Sequence, residues 1–380
     1  MTENQKICCE ICKQKVHSIQ LHLQKEHPEM SLEEYKRRFP EAPLYSDYAK
    51  SLLEKHFKEK TEAARQDGVH FFHEVFNLTS SSAFSTEGSR PIPITVLNRG
   101  DGSDLIPEVN TNYVFNIKEL KFLLSGIEMG MPVYIWGHKG AGKTELVEQI
   151  CARTQRPLLR VQHTVNTEEA QIIGQWVVRD GETKFEYGPL PMAMLNGWAY
   201  LADEYDFALP NVLAVYQAVL EGKPLMIKEA PASMRIVKPH PNFRFFATGN
   251  TNGTGDETGL YQGTTIQNSA NYDRFGVVLK KAYMGFEDEL KILTGNSEIQ
   301  ETEARELLQF AKSVREAFDA GKISDTISPR TLLFAAKLGI VHASFRTGLR
   351  LAFMNKLSAA DYEVCDAFAQ RLYGGGVDDE

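Results

Sequence analysis

A glycine-rich stretch near the middle of the chain limits the possible folds more than any other feature of the sequence. The apolar run Val133–Trp136 precedes this stretch, and a helical pattern with Leu146 and Ile150 on one face follows it. Strand, glycine loop and helix in this order let backbone N–H groups and a helix N-terminus bind phosphate oxygens. The sequence therefore predicts a phosphate-binding loop in an α/β domain with a parallel sheet. The stretch matches the pattern G-x-x-x-x-G-K-[ST] with the residues Gly137, His138, Lys139, Gly140, Ala141, Gly142, Lys143 and Thr144.

Polar side chains follow two further predicted strands. Asp203 and Glu204 come directly after the apolar run Trp198–Ala202. Asn250 follows the run Phe243–Thr248 and a glycine. An amide at such a strand end can hold a water molecule against the last phosphate of a bound nucleotide. We therefore expect these three polar residues to lie near the glycine-rich loop.

Together these residue types predict binding and hydrolysis of a nucleoside triphosphate with Mg²⁺. Lys143 would contact the β- and γ-phosphates, and the Thr144 hydroxyl would ligate Mg²⁺, with Glu145 beside it in the candidate binding set. Asp203 suits a second Mg²⁺ contact, direct or through water. Glu204 suits a general base that polarises the attacking water.

Composition argues against two classes of protein. No apolar run approaches the ~18 residues of a membrane span, and the N-terminus lacks the apolar region of a signal peptide. The formal net charge of −8 argues against a broad surface for coating nucleic acid. Three of the five cysteines fall between positions 8 and 12, which indicates metal binding rather than a disulfide framework. We expect a soluble, cytoplasmic protein.

The order of these patterns predicts four parts. A helix is expected over Tyr48–Arg65, and apolar residues recur at helical spacing in Glu301–Asp319 and Ala359–Leu372. Between these regions, apolar strands alternate with amphipathic helices, which is typical of a parallel sheet. The predicted parts are a metal-binding module over 1–45, a helix and connector over 46–105, an α/β domain over 106–285 and an all-helical domain over 286–380.

The motifs resemble those of the AAA+ ATPases. Asp203 and Glu204 resemble the end of a Walker B strand, and Asn250 resembles sensor 1. The segment Asp273–Phe275 resembles the one that carries an arginine finger, and Ser328–Arg330 resembles the sensor 2 motif. The resemblance implies a P-loop parallel-sheet domain followed by a small helical lid.

Within this class, the order and spacing of the motifs resemble the MoxR branch, and in it the CobS subunits of aerobic cobaltochelatases. The segments Ile173–Gln175 and Thr251–Tyr261 are the most specific part of this likeness, which covers about residues 106–345. It implies a homo-oligomeric ring, usually a hexamer, and a partner with a von Willebrand A domain of the CobT kind. Such a ring would remodel its partner or drive metal insertion.

The same resemblance assigns expected places to two arginines and two hairpins. Arg274 would reach the γ-phosphate bound by a neighbouring subunit, where a cation stabilises the charge of the transition state. Arg330 would read the nucleotide state from its own or the adjacent subunit. Hairpins are expected at about Trp176–Tyr187 and Met234–Asn242. They would line a central pore or contact a partner, or they are ordinary surface hairpins.

The N-terminal region contains a second pattern. Cys9, Cys12, His22 and His27 have the spacing C-x₂-C-x₉-H-x₄-H, which suits tetrahedral Zn²⁺ held by a turn and a helix. Ser18–Glu26 is the expected helix. The pattern resembles the bacterial zinc fingers of the Ros and MucR type. Alternative ligands are available, since Cys8 could replace Cys9 and His17 could replace His22.

Two functions of the finger stay open. Residues 1–40 hold seven Lys or Arg and six Asp or Glu, so the phosphate-neutralising attraction to DNA would be small. This balance favours a finger that docks onto a protein. The alternative is a DNA-associated factor whose ring is tethered to DNA through the finger.

Overall fold

The computed structural model describes residues 6–40, 42–49, 69–85, 90–97, 103–256 and 259–374. The chain divides into two compact units, Met1–His70 and Phe71–Glu380. The helix expected over Tyr48–Arg65 lies almost entirely outside the described residues. The four predicted domain ranges stay predictions.

The N-terminal unit begins with a short hairpin followed by two helices. Strands β1 and β2 pair antiparallel, and the Ser18 hydroxyl accepts a hydrogen bond from the backbone N–H of Leu21 at the start of the first helix. This cap pairs one of the backbone N–H groups that have no partner within the first turn of the helix. The elements are β1 (Ile7–Cys8), β2 (Lys15–Val16), α1 (Ile19–Glu26) and α2 (Leu32–Arg38).

The remaining elements alternate strands and helices and then become wholly helical. The strands are β3 (Val69–Phe71), β4 (Pro93–Thr95), β5 (Val133–Trp136), β6 (Leu158–Gln162), β7 (Gly174–Arg179), β8 (Glu182–Tyr187), β9 (Ala199–Asp203), β10 (Leu225–Met226), β11 (Ile236–Val237), β12 (Arg244–Gly249) and β13 (Val277–Lys280). The helices are α3 (Phe72–Val75), α4 (Ile117–Glu128), α5 (Lys143–Arg153), α6 (Glu169–Ile173), α7 (Pro189–Asn196), α8 (Pro210–Leu213), α9 (Gln217–Leu220), α10 (Ser269–Tyr272), α11 (Phe286–Asn296), α12 (Glu301–Asp319), α13 (Pro329–Val341), α14 (Phe345–Ala352) and α15 (Ala359–Tyr373).

Five parallel strands form the central sheet in the order β13–β5–β12–β9–β6. Val133 and Ile135 of β5 point into the core on one face, and Tyr134 points into the core on the other. Helices therefore cover both faces, as the continuous apolar runs predict. Since parallel strands end at the same edge, the residues after β5, β9 and β12 lie close together.

Helices α11–α15 form a separate apolar core, which confirms the predicted helical part. The apolar stripe of α12 includes Leu307, Ala311 and Val314, all fully buried. The backbones of helices α13 and α14 lie in direct contact, because Gly348 of α14 has no side chain where it meets α13. A Cβ atom at Gly348 would lie 2.2 Å from the backbone oxygen of Ala335.

Two antiparallel hairpins lie outside the central sheet of the α/β part, and one differs from its prediction. Strands β7 and β8 form the first, joined by a turn at Asp180 and Gly181, both of which have positive φ. The second pairs Leu225–Met226 with Ile236–Val237, so it begins earlier than predicted and leaves residues 238–242 outside the ladder. Pro239 lies in the excluded stretch, where a missing N–H donor disfavours strand pairing. None of the helices in the described ranges is long and apolar enough to cross a membrane.

The glycine contact between α13 and α14 gives a test of the helical part. We expect Gly348→Ala to lower the free energy of unfolding by about 1–3 kcal/mol, because the added Cβ atom meets backbone that cannot yield. Gly295→Ala is the matched control, since its Cβ atom would have only ordinary contacts at 3.5 Å or more. This control should be neutral or stabilising by up to ~1 kcal/mol. Urea denaturation measures both, and equal effects would contradict the packing argument.

Candidate nucleotide-binding site

The glycine-rich loop lies between β5 and α5, as predicted. Helix α5 begins at Lys143, so the loop ends at a helix N-terminus, where free N–H groups favour an anion. Gly142 has φ 79°, a left-handed conformation that favours glycine. At Gly137 a Cβ atom would lie 2.1 Å from the backbone oxygen of Lys281, so only glycine fits there.

Lys143 connects the loop to the strand end that carries Asn250. Its ammonium donates to the backbone oxygens of Gly137 at 2.7 Å and His138 at 3.1 Å, and to Oδ1 of Asn250 at 2.9 Å. Burial lowers the pKa of Lys143 to about 8, against the raising effect of nearby carboxylates, among which that of Asp206 is the largest. The predicted lysine and amide are therefore in direct contact.

Asp203 ends β9 beside the loop. Its Oδ1 accepts hydrogen bonds from the hydroxyls of Thr144, at 2.9 Å, and Thr248. Its Oδ2 accepts from Arg160 on β6, with Nη2 at 2.6 Å and Nε at 2.8 Å. A hydroxyl and a carboxylate in contact offer the hard oxygen ligands that Mg²⁺ prefers, so this pair fits the ion expected with ATP.

Glu204 follows Asp203 in an unusual backbone conformation. Its φ of 53° lies in the left-handed region, which non-glycine residues adopt at a cost and which is common at functional sites. The Glu204 N–H donates to the Thr248 hydroxyl at 3.2 Å, and the carboxylate accepts from Nε2 of Gln162 at 2.8 Å. The carboxylate borders the same cavity as the phosphate loop.

Asp206 is a site residue that the sequence reasoning missed. Its buried Oδ2 accepts from the backbone N–H groups of Asn250 and Thr251, both at 2.8 Å, and from the Thr251 hydroxyl at 2.9 Å. Burial raises the pKa of Asp206, and these hydrogen bonds oppose the rise. Asp206 thereby fixes the turn that presents Asn250 to Lys143. Its position three residues after Asp203 is the only sequence signal that pointed to it.

A cavity of about 570 Å³ lies between the sheet edge and the helical part. Arg330 and Leu333 of α13 border it, and the Ser328 hydroxyl caps α13 by accepting from Thr331 at 3.2 Å. From the sheet edge it is bordered by Gly140, Ala141, Gly142, Lys143, Thr144, Glu145, Arg160, Gln162, Asp203, Glu204, Thr248, Gly249 and Asn250. The structure therefore brings together most of the predicted nucleotide-site residues and Arg330.

The apex of the glycine-rich loop is held by segments far away in sequence. The Tyr261 hydroxyl accepts from the backbone N–H of Lys139 at 3.0 Å and lies 3.0 Å from Nδ1 of His138. From the helical part, Asp325 binds the Lys139 ammonium at 2.5 Å, and the Phe318 ring meets His138 edge-on. The 251–261 segment, of which residues 257 and 258 lie outside the described residues, thus touches the loop.

Arg274 lies away from this cavity. Its Nε donates to Oε1 of Glu221 at 2.6 Å, and its Nη1 donates to the backbone oxygen of Ala270. Within one chain, therefore, Arg274 forms an ion pair and is not among the residues that border the cavity.

The N-terminal unit brings the four predicted metal ligands together. One donor atom from each of Cys9, Cys12, His22 and His27 lies within 4.8 Å of the others. The buried Nε2 of His27 has no hydrogen-bond partner among the described residues, which leaves it available to a metal. Zinc bonds of ~2.0–2.3 Å require a similarly compact set, so the donors fit Zn²⁺.

The alternative ligands, Cys8 and His17, are not among the four residues whose donor atoms come together. Cys8 Sγ lies 3.3 Å from the backbone oxygen of Lys13, and Nδ1 of His17 lies 2.8 Å from the Ser46 hydroxyl. Each therefore has its own contact outside the four-residue group. The geometry therefore favours Cys9 and His22 over Cys8 and His17 as ligands.

Comparison with known families places the two main parts of the chain. Residues 132–264 match the family described as AAA domain (dynein-related subfamily). Residues 289–372 match the family described as CbbQ/NirQ/NorQ C-terminal. The first range contains the glycine-rich loop and the second contains Arg330.

Individual relatives agree with these matches. The chain is 32% identical to the aerobic cobaltochelatase subunit CobS of Sinorhizobium sp, over 72% of this chain and 84% of that protein. It is 26% identical to the denitrification regulatory protein NirQ of Pseudomonas aeruginosa, over 60% of this chain and 84% of that protein. Among solved structures, Thermotoga maritima RuvB matches with 13% identity and a TM-score of 0.40, covering 65% of this chain and 72% of that one. With its phosphate loop, parallel sheet and helical C-terminal part, the chain belongs to the MoxR-like AAA+ ATPases related to CobS, NirQ and NorQ.

Proposed function

We propose that the residues around the cavity bind and hydrolyse ATP in the roles their chemistry predicts. Lys143 binds the β- and γ-phosphates, while Thr144 and Asp203 hold Mg²⁺, which neutralises phosphate charge when bound. Glu204 polarises the attacking water and Asn250 orients it. The observation that carries this proposal is the direct contact of Lys143 with Asn250, next to the Thr144–Asp203 pair.

The proposal extends to a ring, usually a hexamer, in which ATP lies between subunits. Arg274 would then complete the neighbour's site, and Arg330 would report the nucleotide state. The position of Arg274 outside its own chain's cavity supports a role between subunits, whereas Arg330 already borders that cavity. A cation that arrives from the neighbour stabilises charge in the phosphoryl-transfer transition state.

The ring would act on another protein. The resemblance of its motifs to CobS subunits implies a partner with a von Willebrand A domain and a task of remodelling, and the similarity to a cobaltochelatase subunit supports metal insertion. The β7–β8 hairpin supports contact with a partner, because its Trp176 and Val178 side chains are exposed apolar groups.

The N-terminal cluster would bind Zn²⁺ and dock the ring onto that partner. Four compact donors, one of them a buried and unpartnered imidazole nitrogen, support the metal. Among the described residues of the N-terminal unit, the buried apolar core consists of Cys9, Ile19, Leu23 and Tyr35. Such a small core needs a metal for most of its stability.

Separate substitutions distinguish phosphate binding from catalysis. Lys143→Ala should weaken ATP binding roughly 10-fold or more, because a charge-assisted hydrogen bond to phosphate is lost. Glu204→Gln keeps the shape and the contact with Gln162 but loses the base. It should bind ATP normally, and its rate of ATP hydrolysis should fall at least ~100-fold.

Equilibrium binding of ATP and steady-state phosphate release measure these two effects. Glu316→Gln, at an exposed position of α12, is the matched control and should behave as wild type. Hydrolysis by Glu204→Gln at the wild-type rate would show that another group activates the water.

Mixing inactive variants tests the role of Arg274 between subunits. Arg274→Ala and Lys143→Ala subunits should each be inactive in homogeneous rings. In mixed rings, roughly a quarter of the interfaces join an intact Lys143 to an intact Arg274, so part of the ATPase rate should return. A mixture of Lys143→Ala with Glu204→Gln is the control, because those two residues act in the same chain and no site becomes complete. Mixed rings that stay inactive would argue against the trans role.

Zinc content tests the metal site. Protein purified without chelator should hold about one Zn²⁺ per chain. Cys9→Ser and His22→Gln should lose the ion, whereas Cys8→Ser and His17→Gln, at the alternative positions, should keep it. Elemental analysis gives the answer, and wild-type protein without zinc would refute the site.

The function of the finger is tested by deleting residues 1–45. The shortened ring should still hydrolyse ATP but lose its protein partner. A loss of DNA affinity, steeply salt-dependent in the full chain, would instead support the DNA-associated alternative.

A further inference from the structure

Arg160 makes a contact that the proposed ATPase mechanism leaves unexplained. It lies on β6, at the edge of the central sheet, and borders the nucleotide cavity. Two of its nitrogens donate to the same oxygen of Asp203, Nη2 at 2.6 Å and Nε at 2.8 Å. The Asp203 side chain is only 4% exposed, and it forms an ion pair with this guanidinium.

The hydrogen bonds of Asp203 leave little room for a metal. An ionised carboxylate offers about four acceptor positions. Two are used on Oδ1 by Thr144 and Thr248, and two on Oδ2 by Arg160. The Thr144 hydroxyl can ligate Mg²⁺ through a lone pair and still donate its proton to Asp203. A water molecule of the Mg²⁺ shell, however, can reach Oδ2 only where Arg160 now donates.

Arg160 has a second acidic partner that would receive it. Its Nη1 lies 3.5 Å from Oε1 of Glu148 on α5, and its side chain is 46% exposed. Because the Arg160 side chain is about half exposed and lies on an edge strand, its guanidinium can change rotamer without disturbing the core. Glu148 therefore offers a nearby position in which the charge of Arg160 stays paired.

We propose that Arg160 is the counter-ion of Asp203 in the nucleotide-free chain and that Mg²⁺ bound with ATP displaces it towards Glu148. One cation replaces another, so the buried carboxylate is never left uncompensated. Arg160 is then a positioning residue that sets how strongly nucleotide binding depends on Mg²⁺. The inference rests on the proposed function, because it takes Asp203 as a Mg²⁺ contact.

A purely structural ion pair would behave differently. If Arg160 only braced β6 against β9, its loss would lower stability and weaken nucleotide binding equally with and without Mg²⁺. A displaceable counter-ion changes the ratio of the two affinities. Without Arg160, the bare Asp203 repels a metal-free triphosphate, while Mg²⁺ meets no competitor at Oδ2. Both effects raise the affinity for nucleotide with Mg²⁺ relative to the affinity without it.

The test is the dissociation constant of the non-hydrolysable ATP analogue AMP-PNP. It is measured by calorimetry in MgCl₂ and in magnesium-free buffer without chelator, which spares the cysteine–histidine cluster. Arg160→Gln should raise the ratio of the dissociation constant without Mg²⁺ to the dissociation constant with Mg²⁺ roughly tenfold. This is the effect expected from the loss of one charge-assisted hydrogen bond. Arg160→Lys, which keeps the charge but not the double contact, should raise it less. Glu148→Gln removes the receiving carboxylate and should lower it.

Arg305→Gln is the matched control, because Arg305 is 43% exposed and also pairs with two carboxylates, on the lid surface. Its ratio should equal that of wild type. An unchanged or lower ratio in Arg160→Gln overturns the inference, and if that variant does not fold, the same criterion applies to Arg160→Lys. Wild-type protein that binds AMP-PNP equally well with and without Mg²⁺ would instead overturn the assignment of Asp203.

Discussion

Parallel pairing of the central strands is the constraint on which the site depends. In the register of the sheet, Phe246 of β12 lies beside Val133 of β5, and Arg244 of β12 lies beside Ala199 of β9. The three strands therefore end together, and the residues that follow them meet at one edge. The glycine loop, the acidic pair and Asn250 come from distant parts of the sequence, and no local preference of theirs would bring them into contact.

The sequence was sufficient for features that have a local cause. The strand, glycine loop and helix around Lys143 follow from an apolar run, glycines and helical spacing. The Ser18 and Ser358 caps have the same local origin, since each hydroxyl accepts an N–H three residues on. The bounds predicted for the second hairpin were wrong, because Ile236–Val237 pairs with an equally short strand, Leu225–Met226, that begins before the predicted range. Such a pairing leaves no periodic signal.

Contacts between distant segments could not be predicted from the sequence. The Tyr261 hydroxyl binds the Lys139 N–H across 122 positions, and Asp206 binds the Asn250 N–H across 44. Each residue type has many possible roles, and only the fold selects one. Arg160 was missed for the same reason, since an arginine in a short strand is ordinary until its partner is known. The proximity of Cys9, Cys12, His22 and His27 was easier to predict, because a four-ligand spacing is rarely met by chance.

The grip of the helical part on the phosphate loop has a mechanical consequence. Phe318 and Asp325 contact the loop at His138 and Lys139, and a Cβ atom at Gly140 would lie 2.5 Å from that of Ser328. The loop backbone thus packs directly against the helical part within one compact unit. A rotation of the helical part would therefore displace the apex of the loop. The gain or loss of a phosphate at the loop would then reach the helical part through these contacts, in addition to any report by Arg330.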